Sequence, residues 1–240
     1  MPIGTIVNFA AVLAGSAVGA VAGARFPERL RDTVMAVLGL LVAAIGIRET
    51  IETDHFILVL AAVLLGAVIG EVLRIEEGLQ SMGSALQRRF APPPPADGDP
   101  RSFGRGGGNG RFAEGFVVAT LVFCIGPLAI IGSIEDGLGN PDLLLAKAAL
   151  DGFASIAFAS AYGWGVAASA LPVLVLQGGI AIAAQGLDGI LTEPMLDALG
   201  AAGGILLMGI ALRLLSLKQV RVANMLPAVA LAPLFVRLWG

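Results

Sequence analysis

The sequence predicts an all-α, polytopic membrane protein of about eight transmembrane helices, and three observations predict it. Of the 240 residues, 57% are hydrophobic and 14% charged, whereas a soluble domain carries roughly a quarter of its residues charged. Apolar stretches of about 20 residues, the length a helix needs to cross the hydrocarbon core, recur along the whole chain. The loops between them alternate in charge, one basic and the next acidic, as the positive-inside rule requires of successive crossings.

The first span is expected at 4–24. The preceding MPIG carries no Lys or Arg, so the segment reads as a retained helix rather than a signal peptide. Arg25, Arg29 and Arg31 follow, then a second span at 31–49 ending in the acidic RETIETDH. The third, at 56–74, leads into a long loop, 75–112, with Arg88, Arg89, Arg101, Arg105 and Arg111. Its part FAPPPPADGDPRSFGRGGGNGRF reads as a disordered cytoplasmic Pro/Gly linker. GRGGGNG there has neither the preceding strand nor the soluble helix of a phosphate-binding loop. A fourth span at 113–133 reaches Glu135, Asp136 and Asp142, and a fifth at 143–161 turns at the uncharged Tyr162-Gly163. A sixth at 164–185 precedes Asp188, Glu193 and Asp197; a seventh at 196–215 precedes Lys218 and Arg221. The eighth, at 220–238, carries Arg237, which can snorkel to the interface. If all eight cross, the basic loops share the cytoplasmic side and both termini lie outside the cytoplasm.

Residues 28–48 align without a gap on 193–213. Glu28 matches Glu193, Asp32 matches Asp197, Gly39 matches Gly204 and Arg48 matches Arg213. These are the second and seventh spans, so they cross in opposite directions. The expectation is an inverted repeat of three helices, a central pair, then three helices, an arrangement common in transporters. The divisions are 1–80, the linker 81–112, the central pair 113–162, and 163–240.

The central pair carries the unusual residues. Gly126-Pro127 interrupts the fourth span about ten residues from Phe116, or ~15 Å in, and predicts a broken helix. Lys147, Asp151 and Ser155 recur every four residues and share one face of the fifth span. Asp151 lies roughly 14 Å from the helix start. Ionisable groups at that depth are expensive unless they face protein or water, so they mark a gate, a proton-linked site or an ion-binding face. A static pair joining two helices is the alternative. Ser133 either faces a cavity at the break or bonds back to its own helix. Gln177 in the sixth span is a further pathway candidate. Asn8 and Glu71 read as interfacial or interhelical hydrogen-bonding groups. Gly15, Gly19 and Gly23, like Gly66 and Gly70, have the four-residue spacing of close helix packing. One Cys and one His exclude an intrachain disulfide framework and the usual zinc sets, and Cys124 reads as an inert apolar residue. No cofactor is expected, and no enzyme chemistry, since convergent nucleophile and base groups are missing from the pattern.

CIGPLAIIGSIEDGL, LLLAKAALDGFASIAFASAYGWGV and ALPVLVLQG together resemble the bacterial membrane-protein family called domain of unknown function 554. GTIVNFAAVLAGSAVG and GAVIGEVLRIEEGL fit as well, so the resemblance covers all but the linker. The family has Met where Leu128 stands here, and no such long linker; neither departure touches the polar positions. The resemblance implies an inner-membrane location and a loosely described role in transport. The expected function is a transporter or channel for a small ion or small solute, its pathway formed by spans 4–6 (Gly126, Pro127, Ser133, Lys147, Asp151, Ser155 and Gln177). The expected partners are the lipid bilayer and further copies of the chain, with no nucleic acid. The rival expectation is a non-transporting membrane scaffold.

Overall fold

The computed structural model describes residues 2–23, 27–90, 108–187 and 190–240. These residues form eleven α-helices and one 3-10 turn, and no strand occurs among them. In order they are α1 (Ile3–Gly23), α2 (Glu28–Ile51), α3 (Phe56–Leu73), α4 (Ile75–Phe90), α5 (Gly108–Cys124) and α6 (Pro127–Leu138). Then come α7 (Asp142–Tyr162), α8 (Gly165–Ala168), α9 (Ala170–Leu187), α10 (Glu193–Leu214) and α11 (Pro227–Trp239). Seven helical stretches are long and apolar enough to cross a membrane. An eighth forms if α5 and α6, bent by 65° across Ile125-Gly126, count as one span. The protein is a polytopic membrane protein, with large apolar side chains such as Ile57, Val72, Phe153 and Ile182 exposed on its outer helix faces.

Local sequence sets the breaks. Gly126 takes φ +156° and ψ 147°, a region essentially restricted to glycine. Pro127 then begins α6 at a position where its missing N–H leaves no helical bond unmade. Gly139, at φ +100°, ends α6 in a left-handed cap, its N–H and that of Asn140 donating to the Asp136 and Glu135 carbonyls.

The glycines set how helices pair. Gly15, Gly19 and Gly23 of α1 abut Gly152, Ile156 and Ser160 of α7, so the two run parallel in register. α2 and α10 run antiparallel, with Gly39 against Leu215 and Gly46 against Gly204. So do α3 and α11, with Gly66 against Ala228 and Gly70 against Asn224. Small residues at each contact let backbones approach closely, which is how helices associate where lipid supplies no hydrophobic force.

The bent pair follows the full length of α7. Gly115 at its start lies against Tyr162 at the end of α7, and Arg111 donates to the Ala161 carbonyl (2.7 Å). Near its finish, Gly132 lies against Leu144 at the start of α7. α5 and α6 therefore traverse the bundle as one broken span rather than returning to the side they entered from. Some packing pairs also map onto one another when spans 1 and 6, 2 and 7, 3 and 8, and 4 and 5 are exchanged, although the extensive α10–α11 contact has no comparable α2–α3 counterpart. α1 on α7 corresponds to α9 on α6, while α2–α10 and α3–α11 map onto themselves.

Two expectations need correction. Residues 81–90, expected to belong to the linker, are the second half of α4, whose Leu79 and Leu86 pack on the main core. Helix α5 already begins at Gly108; the rest of the expected disordered linker, 91–107, lies outside the described residues. The fourth span is longer than 113–133, since the bent pair runs from Arg111 to Leu138. The break falls where Gly126-Pro127 places it.

Candidate functional site: a buried polar cluster beside the broken span

Lys147 and Asp151 are one turn apart on α7, and the ammonium donates to Asp151 Oδ2. Both are buried, at 7% exposure each. The same Oδ2 accepts from Asn8 Nδ2 of α1 at 3.0 Å. The second Asn8 amide hydrogen goes to Gln177 Oε1 of α9, also 3.0 Å. Asn8 and Gln177 are completely buried. Three helices thus converge on one carboxylate, with Asn8 as the bridge. Its position follows from the α1–α7 seam: the register that lays Gly4 on Leu144 and Gly15 on Gly152 brings Asn8 level with the Lys147–Asp151 turn.

Among the described residues the cluster leaves two polar atoms without a partner, the acceptor Asn8 Oδ1 and the donor Gln177 Nε2. Leaving a buried group unpaired costs about 1–3 kcal/mol, and such atoms in a native interior call for an explanation such as a bound water, ion or ligand. The cluster also lies beside the break. With Gly115 against Tyr162 and Gly132 against Leu144, Gly126-Pro127 comes level with the Lys147–Asp151 turn of α7.

Of the sequence-predicted residues, the structure brings Lys147, Asp151 and Gln177 together. Ser155, one turn beyond Asp151, donates to the Gly152 carbonyl (2.8 Å) and packs against Gly15. Ser133 donates to the Ala129 carbonyl (2.5 Å), so its hydroxyl is satisfied within α6 instead of facing a cavity. Pro127 packs against Gly200 of α10. The same glycine is approached by Glu49 of α2, whose Oε2 is buried and unpaired. Asn8 is the interhelical hydrogen-bonding group that the sequence suggests; sequence reasoning missed which residues it joins, and missed Glu49 beside the break. Counting residues from the start of each parallel helix is the signal that finds Asn8: it lies five beyond Ile3, and Lys147 five beyond Asp142.

A second polar network joins α3, α4, α10 and the turn before α11. Glu76 of α4 accepts from Arg213 Nη1 (2.9 Å) and the Ala223 N–H (2.9 Å), and its own N–H donates to Asn224 Oδ1 (2.7 Å). Asn224 Nδ2 donates to Glu71 (2.6 Å), which also pairs with Arg221. Glu71 is thus the interhelical hydrogen-bonding group that the sequence suggests.

The chain belongs to the family described as protein of unknown function (DUF554), whose family model matches residues 3–237. It is 33% identical to the uncharacterized protein YqgA of Escherichia coli (strain K12), over 97% of this chain and 95% of that one. It is 27% identical to the uncharacterized membrane protein YdfK of Bacillus subtilis (strain 168), again over 97% of this chain and 95% of that one. No solved structure matches the chain.

Proposed function

We propose that the protein is a transporter or channel for a small ion or small polar solute, with its pathway at the Asn8–Lys147–Asp151–Gln177 cluster. The observation that carries this reading is the pair of buried, unpartnered polar atoms, Asn8 Oδ1 and Gln177 Nε2, beside a charge pair that lipid would not tolerate. The broken span next to them supports it, because irregular backbone at membrane depth is tolerated where it lines protein or a water-filled cavity. The packing pairs exchanged about a central pair support an inverted repeat, the usual frame for alternating access. A site with one net-neutral charge pair and two amides suits a small solute better than a nucleotide or sugar. No cofactor or covalent chemistry enters the reading.

In this reading the protein lies in a bacterial inner membrane with both termini outside the cytoplasm, which the alternation of basic and acidic loops supports. The many exposed apolar faces leave room for a homo-oligomer within the bilayer. The rival reading, a non-transporting scaffold, is favoured by one observation: the Ser133 and Ser155 hydroxyls and the Lys147–Asp151 pair are all satisfied inside the protein.

Flux through liposomes containing the purified chain separates the two, read with sodium, potassium, proton and chloride dyes and with labelled glycine. Removing one charge strands the other and costs about 3–5 kcal/mol, whereas removing both can be nearly neutral. The informative variant is therefore the double Lys147→Met/Asp151→Leu. The expected result is solute movement by the parent chain and none by a double variant that melts within a few degrees of it. Movement that survives in the double variant rules out this site. A parent that moves none of these solutes, with variants altered only in stability, supports the scaffold.

A further inference from the structure

Glycine contacts and hydrogen bonds sort the spans into two groups. In the first, α1, α7, α8–α9 and the bent α5–α6 pair meet at backbone: Gly19 lies on the Ile156 carbonyl, Gly137 on the Ala181 carbonyl and Gly165 on the Phe112 carbonyl. In the second, α2, α3, α10 and α11 do the same, with Gly46 on the Gly204 carbonyl and Gly70 on the Asn224 carbonyl. The interhelical hydrogen bonds follow this division. Those of Asp136, Asn8 and Arg111 stay in the first group. Those of Glu71 and Glu76 tie α3 and α4 to α10 and the turn before α11. Between the groups, α2 touches α7 and α10 touches the bent pair. Side chains make these contacts, Gly203 meeting the Ile125 side chain and Gly200 the Pro127 ring. Apolar residues of both groups, such as Leu38, Leu206, Val118 and Phe158, fill one core there. A boundary of this kind shifts without leaving buried polar groups unpaired, whereas the seams inside each group do not.

The two ends of this boundary differ. At the end where α4 lies it is parted, by a cavity of about 480 Å³ lined by Glu114 and Val117 of the first group, Arg213 and Gln219 of the second, and Gln80 and Ser84 of α4. Gln80 and Gln219 are exposed, so the cavity opens to the surface. Across it Arg213 Nη2 stands 4.0 Å from Glu114 Oε1, too far for a hydrogen bond. Arg111, on the helix of Glu114, donates to Ala161 within the first group, and Glu76 holds Arg213 within the second. Helix α4 straps this end, its Leu79 and Leu86 on the shared core and its Gly83 against Phe116. At the other end the boundary is shut: the Pro127 ring and Glu49 pack on Gly200, and Glu49 Oε2 is enclosed without a partner among the described residues. Exchanging spans 1 with 6, 2 with 7, 3 with 8 and 4 with 5 returns each group to itself, so the boundary runs through the inverted repeat. Transporters of that design alternate access by rocking one bundle against another. We infer that the cluster-bearing group moves as a body against the second group, and that this structure is the state parted at the α4 end. In the other state the cavity closes, Arg213 joins Glu114, and the Glu49 end parts and lets water reach that carboxylate. This motion rests on the transport reading for its purpose, yet it is measured without flux.

The test is distance measurement between paired spin labels by double electron–electron resonance, on the full chain in phosphatidylethanolamine/phosphatidylglycerol liposomes. Cys124 is replaced by alanine, and the labels sit at exposed positions. Trp164→Cys with Lys218→Cys spans the boundary at the α4 end, and Asn140→Cys with Asp54→Cys spans it at the other. Asn140→Cys with Gly186→Cys stays within the first group, and Asp54→Cys with Glu193→Cys within the second. Each boundary pair is expected to show two distances and each within-group pair one. Arg213 is left intact, because its removal would strand Glu76. Glu114→Gln removes the charge that joins Arg213 in the closed state. It is expected to shift the populations toward the parted α4 end by about threefold, the worth of a partly exposed ion pair, and to shift the pair at the other end in the opposite sense. Single distances for both boundary pairs overturn the inference. So do within-group pairs as divided as the boundary pairs, or populations that Glu114→Gln leaves unchanged. Two states without flux in the liposome assay defeat the transport reading and uphold the motion; flux with single distances does the reverse.

Discussion

Asp136 belongs to α6, yet its carboxylate closes the first turn of α1. Oδ1 accepts the Gly4 N–H, and Oδ2 accepts the N–H and hydroxyl of Thr5, at 2.8–2.9 Å. The first N–H groups of a helix have no partner within it and carry partial positive charge, so a buried carboxylate there is doubly favoured. At 3% exposure it also has little water to fall back on. Asp136→Ala should therefore destabilise the protein by about 2–4 kcal/mol, and Asp136→Asn by less, since an amide keeps one acceptor. Denaturant titration in detergent checks both, and equal losses for the two would show that charge and geometry do not matter there. In sequence, Asp136 reads only as one acid of an outer loop. Lys147 and Asp151 were legible because two opposite charges four residues apart on an apolar helix must find each other. Asn8 was legible as an interhelical hydrogen-bonding group but its partners were not, because a lone amide near a helix end has no partner along its own helix. Its role depends on how α1 slides along α7.

That sliding is set by a seam of glycines. A Cβ on Gly15 would overlap the Gly152 carbonyl and the Ser155 hydroxyl, one on Gly19 the Ile156 carbonyl, and one on Gly23 the Ser160 carbonyl. The obstacles are largely backbone, so they cannot yield without moving a helix. Gly19→Leu should thus force α1 off α7, costing about 1–3 kcal/mol or more as overpacking and pulling Asn8 away from Asp151. Gly179→Leu is the control, because nothing lies within 4 Å of a Cβ there. Melting temperature should fall for the first and stay near the parent for the second; equal behaviour would mean that the seam is not a close contact. Four-residue glycine spacing made this contact readable as packing, though not its partner helix. The broken span was readable for a similar reason, as Gly-Pro inside an apolar run forces a break whatever surrounds it. Helix α4 was not, because its sixteen residues, IEEGLQSMGSALQRRF, are too polar and short to read as a span. What makes it an element is the core surface of α5 beneath Leu79 and Leu86.

At the scale of the molecule, the number of crossings follows from helix directions. Parallel helices enter from the same side, so an even number of crossings separates the start of α1 from the start of α7. α2 and α3 supply one crossing each and α1 itself a third, leaving the bent α5–α6 pair as the fourth. The antiparallel α2–α10 and α3–α11 contacts require the same count. Loop charges in the sequence point to the same eight crossings, because a fourth span that turned back would put the acidic Glu135–Asp142 loop on the basic side and the basic Arg213–Arg221 loop on the acidic one. Cysteine labelling tests this count. With Cys124, the only cysteine, replaced by alanine, single exposed cysteines are introduced as Asp54→Cys, Gly78→Cys, Gly139→Cys and Lys218→Cys. A membrane-impermeant maleimide applied to intact cells should label Asp54→Cys and Gly139→Cys, and should reach Gly78→Cys and Lys218→Cys only after lysis. The decisive pair is Gly78 and Gly139, which flank the broken span. If both positions label from the same side, α5 and α6 form a re-entrant loop, the parallel α1–α7 packing is wrong, and Asn8 cannot reach Asp151.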